Sequence, residues 1–356
     1  MTATSVRTGR VLALQANFCR VRLDGPGPSG ETDLLCTRRT RLSKSGQTIC
    51  VGDRVTVDGI HWSDGRGAVA ALEPRHSLLM RPAVANVDRV VVVVALRDPE
   101  LDPLQLTRFL ITAEATGRPV QLVLTKADLL PPEAVAAWIG RASGWGYAVR
   151  AISTRSGQGL EQLRCLLAVP GIAVLCGPSG VGKSSLLNAL LPELALRTEA
   201  VSGRLRRGRH TTRHVELFAL PGAGGEALLA DSPGFNRPEL PADPHTLALA
   251  FPELRRVLAV RLCRFRNCRH QGDPGCAVGT EWDRYDLYGQ CLAQVEAIRP
   301  GGGRARSASL GLRRRGDRLE PLLDPRLRQG SRRRLRQQGE ETDRAGSGLS
   351  PPDLAD

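Results

Sequence analysis

The sequence predicts a multidomain α/β protein with an N-terminal OB-like β-barrel, a P-loop α/β domain and a C-terminal zinc-binding module. Five short strand-like segments occupy the first 80 residues, and strand and helix patterns alternate from residue 87 onward. Three cysteines and a histidine cluster after residue 260. The length of 356 residues allows two or three domains with real cores. The predicted domains are 1–80, 81–245 and 246–300, followed by a basic tail, 301–356.

Charge and cysteine content restrict the partners and the compartment. The formal net charge is +14 and the pI about 10.2, which indicates a polyanionic partner. Only three of the 50 basic residues are lysines, and two of these, Lys126 and Lys183, fall in the nucleotide motifs described below. Nine cysteines, no secretory signal and no apolar run near 18 residues predict a cytoplasmic protein without a membrane partner.

The N-terminal region reads as short strands separated by Gly, Pro, Asp and Ser turns. With basic residues between them, such strands are typical of a small closed barrel that binds nucleic acid. Aromatic residues for base stacking are scarce, so we expect contacts to phosphates rather than sequence reading. A barrel that serves only as a packing module is the alternative. The predicted strands are 9–14, 18–23, 33–37, 53–57 and 67–72.

The central region alternates strands and helices, which predicts a parallel sheet covered on both faces. The run 87–96 is mostly β-branched, as a strand buried on both faces requires. The further predicted strands are 120–124, 148–152, 171–176, 215–220 and 227–230. The predicted helices are 104–116, 132–142 and 160–167. Three prolines between 238 and 244 suggest a boundary near residue 245.

A phosphate-binding loop lies at the centre of this domain, because 177–184 matches G-x-x-x-x-G-K-[ST] between a strand and a helix. Glycines allow backbone N–H groups to surround an anion, and the helix N-terminus adds positive charge. We expect Lys183 to reach the terminal phosphates and Ser184 to bind Mg²⁺. A chance match in a glycine-rich chain is the alternative. The residues assigned to nucleotide binding here are Gly177, Pro178, Ser179, Gly180, Val181, Gly182, Lys183, Ser184 and Ser185.

Two segments at strand ends are suited to reading a guanine base. Thr125-Lys126-Ala127-Asp128 follows the strand 120–124. The Asp128 carboxylate can accept two N–H bonds from the guanine edge, where adenine offers no matching pair, and the Lys126 stem can lie across sugar and base. Ser153 and Thr154 end the next strand and would supply a backbone N–H to the guanine oxygen. An ordinary strand-to-helix turn is the alternative for each segment.

The last nucleotide motif is Asp231-Ser232-Pro233-Gly234 at the end of a strand. Asp231 would hold Mg²⁺ through water and the Gly234 N–H would meet a γ-phosphate, although Asp-x-Pro-Gly is also an ordinary turn. Together the motifs are the parts of a GTPase in permuted order, with base reading first and the γ-phosphate reader last. Since all loops of a parallel sheet's site leave the carboxyl ends of its strands, the pocket is defined in space and not by chain order.

The C-terminal cluster predicts one structural zinc ion. Cys263, Cys268, His270 and Cys276 lie within 14 residues, and three thiolates with one imidazole complete a closed tetrahedral shell. Reduced free thiols are the alternative. The segment 281–298 has the spacing of an amphipathic helix, and we expect it to close this module.

The tail is expected to be disordered and attracted to RNA by charge. Residues 301–336 hold 12 arginines against three acidic residues and no aromatic residue. Such a composition cannot bury a core.

Residues 1 to about 298 resemble the circularly permuted GTPases that assist maturation of the bacterial small ribosomal subunit, the RsgA family. The resemblance implies a monomer that binds the small subunit and its rRNA. It implies hydrolysis of GTP to GDP, slow alone and stimulated by the subunit, that times a late maturation or release step. Gly208-Arg209-His210-Thr211-Thr212 matches the family's switch motif, in which one threonine, Thr212 in preference to Thr211, would coordinate Mg²⁺ in the GTP state. Thr125 replaces the usual Asn of the base-reading motif, which would weaken one hydrogen bond.

The sequence offers His210, and no glutamine after Gly234, as the catalytic group. Phe235 follows Gly234 where many GTPases carry a glutamine, and a phenyl ring cannot orient water, so unassisted hydrolysis should be slow. His210 is the hypothesised group that positions or activates the water, with contact to RNA or solvent as the alternative. Two other functions stay open. An ATPase of nucleic-acid metabolism would bind ATP and GTP equally, and a non-hydrolysing RNA-binding factor would only sense GTP.

Overall fold

The computed structural model describes residues 6–15, 17–39, 47–80, 83–191, 215–222, 224–231, 238–297, 312–315 and 318–321. Residue contacts divide the chain into two compact units. The first unit contains Met1–Arg255 and Asp283–Ile298, and the second contains Arg256–Trp282 and Arg299–Asp356. The prolines near residue 245 therefore do not mark the observed boundary, because the first unit continues through them to Arg255.

The N-terminal strands form the expected closed barrel of OB type. β1 pairs with β2, β2 with β3, β3 runs parallel to β5, β5 pairs with β4, and β4 closes on β1. Burial alternates strictly along β2 because successive side chains point into and out of the barrel. The strands are β1 (Arg7–Leu14), β2 (Phe18–Leu23), β3 (Asp33–Arg38), β4 (Arg54–His61) and β5 (Arg66–Leu72). A short pair follows, β6 (Leu78–Met80) and β7 (Ala83–Ala85).

The central region forms the expected parallel sheet, in the order β10-β9-β8-β11-β13-β12, with only β12 antiparallel. Its strands are β8 (Val87–Ala95), β9 (Val120–Thr125), β10 (Ala148–Ala151), β11 (Gly171–Cys176), β12 (Glu216–Ala219) and β13 (Ala227–Asp231). The helices are α1 (Pro103–Glu114), α2 (Pro132–Gly144), α3 (Leu160–Leu167) and α4 (Lys183–Leu190).

The core of this domain lies on both faces of the sheet. Val90, Val92 and Val94 of β8 belong to one buried cluster, whereas Val91 and Val93 belong to the cluster on the other face. A strand whose side chains enter a core on each face needs apolar residues at consecutive positions, which explains the valines from Val90 to Val94.

The barrel and the parallel sheet are joined edge to edge. β1 pairs with β12 at Ala13 and Glu216, so the strands of both regions make one sheet of 11 strands. Arg20 of β2 reinforces this seam, with its Nη2 2.6 Å from the Glu216 carboxylate. The barrel is therefore hydrogen-bonded to the strand next to β13.

The helix predicted within 281–298 is present, but it belongs to the first unit. Helices α5 (Pro244–Leu249), α6 (Pro252–Val260) and α7 (Tyr285–Ala297) follow the sheet, and α7 packs against α1 and α5. Its buried face includes Tyr288, which meets Phe251 edge-on at 5.3 Å. The expectation that 281–298 closes the zinc module is thus wrong, because the apolar face of α7 is used within the first unit. No helix among the described residues is long and apolar enough to cross a membrane.

Part of the tail has regular structure, against expectation. Leu312–Arg315 (β14) pairs antiparallel with Arg318–Pro321 (β15). Only Gly316 and Asp317 separate the strands, a length and composition typical of hairpin connections. The rest of the tail lies outside the described residues.

Candidate nucleotide-binding and metal sites

The separated nucleotide motifs meet at one edge of the parallel sheet. β8, β9, β10, β11 and β13 all end there, and the register places Thr125 beside Ala95 and Asp231 beside Leu175. The phosphate loop follows β11, which lies between β8 and β13. Strand order reverses direction at β8 and β11, the position where open α/β sheets bind their ligands. The fold therefore brings segments that are far apart in the chain to the same end of the sheet.

The phosphate loop depends on the absence of a side chain at Gly177. Its φ is 144°, in the region that favours glycine, and a Cβ there would lie 1.9 Å from the backbone oxygen of Val93. Gly182 also has positive φ, 92°, directly before α4. These glycines let the loop pass close over β8 and turn into the helix whose N-terminus faces the pocket.

We expect Gly177→Ala to weaken GDP binding about tenfold or more. The added Cβ displaces the loop from β8, and holding a non-glycine residue in this conformation costs about 1–3 kcal/mol. Binding of a fluorescent GDP analogue measures the effect. The control is Gly140→Ala, in α2, where an added Cβ meets nothing within 4 Å. Equal GDP affinity in both variants would contradict the close approach.

The Lys183 side chain is hydrogen-bonded to the first residues of the phosphate loop. Its ammonium donates to the backbone oxygens of Gly177 at 2.8 Å and Pro178 at 2.6 Å. Ser184 and Ser185 lie exposed in the first turn of α4. The cation and the hydroxyls thus stand together at the helix N-terminus, where a phosphate-bound metal ion would need them.

Thr125 joins the base-reading segment to the phosphate loop. Its side chain is 2 % exposed, and Oγ1 lies 2.5 Å from the backbone oxygen of Val181 and 3.2 Å from that of Val94. A hydroxyl has one proton to donate, and it goes to a backbone carbonyl of the protein. The Thr125 side chain is therefore placed to fix the two loops relative to each other rather than to contact a base.

Lys126 and Asp128 occupy the turn that follows β9. Lys126 is left-handed, with φ 56°, and its ammonium donates to the backbone oxygen of Asp98. Asp128 is exposed in the 3₁₀ turn Ala127–Leu129, and the Ala127 N–H donates to Ile152 at 3.1 Å. These bonds fix the turn from both neighbouring strands and leave the Asp128 carboxylate facing solvent.

Ser153 shapes the loop after β10. It is fully buried, and its hydroxyl accepts from the backbone N–H groups of Arg155 at 3.2 Å and Ser156 at 3.1 Å. Thr154 beside it is half-buried. Because the Ser153 hydroxyl is hydrogen-bonded within the loop, a contact from Ser153 to a base would have to come from its backbone.

The segment predicted to hold Mg²⁺ and to meet the γ-phosphate lies only partly within the described residues. Asp231 ends β13, with its backbone beside Leu175 on one side and opposite Glu216 on the other. Gly234, Thr212 and His210 lie outside the described residues.

Sequence reasoning missed the loop after β8. Asp98 bonds Lys126 as described above, and Pro99 lies 3.7 Å from the position of a Cβ on Gly180. This loop therefore bridges the base-reading turn and the phosphate loop. The sequence could have indicated this loop, because it follows a predicted parallel strand and all such strands end at the same edge of the sheet.

Comparison with known proteins identifies the family. A family model described as RsgA GTPase matches residues 72–241. The chain is 55 % identical over 303 residues to the small ribosomal subunit biogenesis GTPase RsgA of Synechococcus sp., covering 85 % of this chain and 99 % of that one. The relative of the same name from Thermosynechococcus vestitus is 48 % identical, with 92 % and 94 % covered. This chain belongs to the RsgA GTPase family.

Solved structures support the permuted fold. YjeQ from Thermotoga maritima matches with a TM-score of 0.68 and 28 % identity, over 83 % of this chain and all of that one. YloQ, described as a circularly permuted GTPase, gives 0.66 and 27 %, over 84 % and 98 %. As a member of the RsgA family the chain is a circularly permuted GTPase that hydrolyses GTP, and GTPases use Mg²⁺.

The second unit of this RsgA-family chain contains a cluster of three cysteines and a histidine that could hold a metal ion. The ligand atoms of Cys263, Cys268, His270 and Cys276 all lie within 4.8 Å of one another. Nδ1 of His270 is 3.5 Å from Sγ of Cys263 and 3.7 Å from Sγ of Cys276. With bonds of about 2.3 Å to sulfur and 2.0–2.1 Å to nitrogen, a tetrahedral zinc ion requires S–N edges of about 3.6 Å. The cluster therefore has the dimensions of a tetrahedral metal site.

The backbone around the cluster is arranged to support thiolates. The N–H of Ala277 donates to Sγ of Cys263 at 3.3 Å, and that of Val278 to Sγ of Cys276 at 3.4 Å. Burial raises the pKa of the Cys263 and Cys268 thiols, so a bound cation would be needed to hold them charged. The connection turns at Gly275, whose φ is 80° and where a Cβ would lie 2.8 Å from the side chain of Arg264.

Proposed function

We propose that this GTPase binds the small ribosomal subunit and that GTP hydrolysis times a late maturation or release step. Its relatives carry the name small ribosomal subunit biogenesis GTPase, at identities up to 55 % over nearly their whole length. The observation that carries the proposal is the pairing of the basic barrel with β12, the strand next to β13, at whose end the predicted Mg²⁺ ligand Asp231 lies. A partner on the barrel can therefore influence the strand next to the nucleotide site.

In the proposed mechanism, different groups of the chain bind the phosphates, the guanine base and the metal ion. Backbone N–H groups of the phosphate loop and the Lys183 ammonium bind the phosphates, and Asp128 accepts the guanine N–H groups. Ser184 and Thr212 would hold Mg²⁺ directly and Asp231 through water, since hydroxyl and carboxylate oxygens are the ligands this ion prefers. When bound, the ion would supply neutralisation of the negative charge that develops on the departing GDP. Ser153 and Thr154 would present the backbone N–H that meets the guanine oxygen, with Gly234 at the γ-phosphate.

His210 is proposed as the group that orients or activates the attacking water. The residue after Gly234 is Phe235, which has no hydrogen-bonding group for this role. Hydrolysis should consequently be slow alone and faster on the subunit, where a partner can order the switch motif.

The experiment is single-turnover GTP hydrolysis with and without purified small subunits, on the wild type and on His210→Ala. We expect stimulation of the wild type and its loss in the variant, with GDP affinity unchanged. Absence of stimulation in the wild type would refute the proposed partner, whereas an unchanged stimulated rate in the variant would refute only the role of His210. Equal binding of ATP and GTP would indicate an ATPase instead.

The barrel and the metal module are proposed to contact rRNA as parts of a cytoplasmic monomer. Arg38 and Arg39 are exposed on the barrel, and phosphate contacts by arginines release counterions. Binding to the subunit should therefore weaken steeply between 50 and 200 mM salt, as about six to ten such contacts would produce. An association that does not change with salt would contradict this part of the proposal.

We propose zinc as the metal of the cysteine–histidine cluster. Three thiolates and one imidazole form a closed, soft donor set that leaves no open position, so the ion has a structural role. In a small region with few apolar residues, metal binding would supply much of the folding free energy.

Removal of the metal should unfold the module and leave the nucleotide site intact. For Cys276→Ser we expect loss of the single bound zinc ion by elemental analysis, with GDP affinity within about twofold of wild type. The reason is that all phosphate and base contacts belong to the first unit. The control is Cys165→Ser, because Cys165 is an exposed cysteine of α3. This variant should retain its zinc ion. Retention of one zinc per chain in Cys276→Ser would refute the ligand assignment.

A further inference from the structure

Three arginines stand side by side on the outside of the barrel. Arg10 of β1 lies directly opposite Arg22 of β2 and, on its other side, directly opposite Arg54 of β4. Directly opposite residues of antiparallel strands project from the same face, and like charges in this position destabilise a sheet. Such a row is stable only if anions compensate it.

The two outer arginines are compensated within the protein. Nε of Arg22 donates to Asp33 at 2.9 Å. Arg54 donates from Nη2 to Asp24 at 2.6 Å and from Nε to Glu73 at 3.1 Å. Each outer guanidinium therefore already has a carboxylate partner.

The central arginine is different. Nη1 of Arg10 is buried and has no hydrogen-bond partner in the described part of the chain. Burial, and after it the neighbouring Arg54 cation, lower the pKa of the Arg10 guanidinium from its ordinary value, although the nearby carboxylates of Asp88, Asp24 and Glu73 oppose this shift. A buried N–H of a cation that lacks a partner is costly, so this position favours an added anion.

The arginine row opens onto a cavity of about 610 Å³. Its other walls include Gly171, the first residue of β11, and Glu226, directly before β13. The phosphate loop leaves the opposite end of β11, and a strand of six residues spans roughly 20 Å. The cavity is consequently separate from the nucleotide site, although it is large enough for a mononucleotide.

We propose that this cavity is a second ligand site, which binds a phosphorylated ribose through the guanidinium of Arg10. The planar guanidinium matches a phosphate with two parallel hydrogen bonds. The Glu226 carboxylate in the wall can accept from a sugar hydroxyl. The ligand can be a free nucleotide or a nucleotide within RNA, since both present the same chemistry.

The test uses the full chain saturated with GDP, so that the phosphate loop is filled. Two probes separate the sources: adenosine monophosphate, followed by its effect on the thermal unfolding midpoint, and a fluorescein-labelled octamer of oligo(A), followed by anisotropy. We expect at least one probe to bind the wild type and to bind Arg10→Gln at least tenfold more weakly. Arg66→Gln, which removes the same charge from an exposed barrel position, should bind like wild type.

Arg10→Gln should unfold at or above the wild-type temperature without ligand, because it removes a half-buried cation with an unpartnered buried N–H. Loss of binding in this variant therefore cannot be attributed to loss of fold. Binding of the monophosphate alone would assign the site to a free nucleotide, and binding of the octamer alone would assign it to RNA. Failure of both probes, or equal binding by Arg10→Gln and Arg66→Gln, would overturn the proposal without affecting the GTPase site.

Discussion

Replacing Asp128 with asparagine is expected to change the base preference of the nucleotide site from guanine to xanthine. A carboxylate accepts two N–H bonds from the guanine edge, whereas an amide of the same volume offers one acceptor and one donor. Xanthine carries a carbonyl where guanine carries its amino group, so it matches the amide. Because hydrogen bonds to a charged group contribute about 1.5–3 kcal/mol each, GDP affinity should fall about a hundredfold or more.

The surrounding structure makes this prediction specific to one side chain. Asp128 is exposed, while Thr125 and Ala127 hold the turn through bonds that the substitution leaves unchanged. Competition of GDP and xanthosine diphosphate against a fluorescent nucleotide measures the preference. The control is Asp98→Asn in the neighbouring loop, which removes the same charge from a side chain 86 % exposed and should keep guanine preference. A retained preference for GDP in Asp128→Asn would refute the assignment.

Glu253→Ala should destabilise the first unit by about 3–5 kcal/mol, because it leaves a buried cation without its partner. Arg284 is fully buried and donates to the Glu253 carboxylate at 2.8 and 2.5 Å. Its guanidinium also lies 4.7 Å from the ring of Trp145 and 4.8 Å from that of Phe251. Urea unfolding followed by Trp fluorescence measures the free energy of unfolding.

A nearby ion pair provides the control. Glu114 pairs with Arg255 at 2.7 Å, but the Arg255 side chain is 49 % exposed and can turn to solvent. Glu114→Ala should therefore cost about 1 kcal/mol or less. Adding Arg284→Met to Glu253→Ala should recover part of the loss, since an apolar side chain fits among the aromatic rings. Equal costs for the two glutamate substitutions would show that burial of Arg284 does not determine the effect.

The Glu253–Arg284 ion pair also explains why the packing partner of α7 could not be predicted from the sequence pattern. The chain leaves the first unit after Arg255 and returns at Asp283, and Glu253 joins Arg284 near these two points. The spacing of Leu292 and Val295 correctly indicated a buried face. Helical periodicity gives the face that is buried, but it does not give the partner, which is decided by long-range contacts.

Thr125 is a second residue whose contact partner could not be predicted from the sequence. From the sequence it was a weakened base contact, because Thr stands where the family uses Asn. In the structure its hydroxyl bonds the phosphate loop at Val181, a residue 56 positions away. The bond depends on β9 and β11 lying on either side of β8, and no local pattern contains that information.

The sequence alone determined the elements whose signals are local. Alternation gave the barrel strands, the valine run gave β8, and close spacing gave the glycine loop and the four metal ligands, because each depends on residues near one another in the chain. Tertiary structure alone decided the seam of β1 with β12, the destination of α7 and the arginine row at the cavity. These features arise where distant segments meet, and a single sequence pattern records which face is apolar or charged but not which surface it will contact.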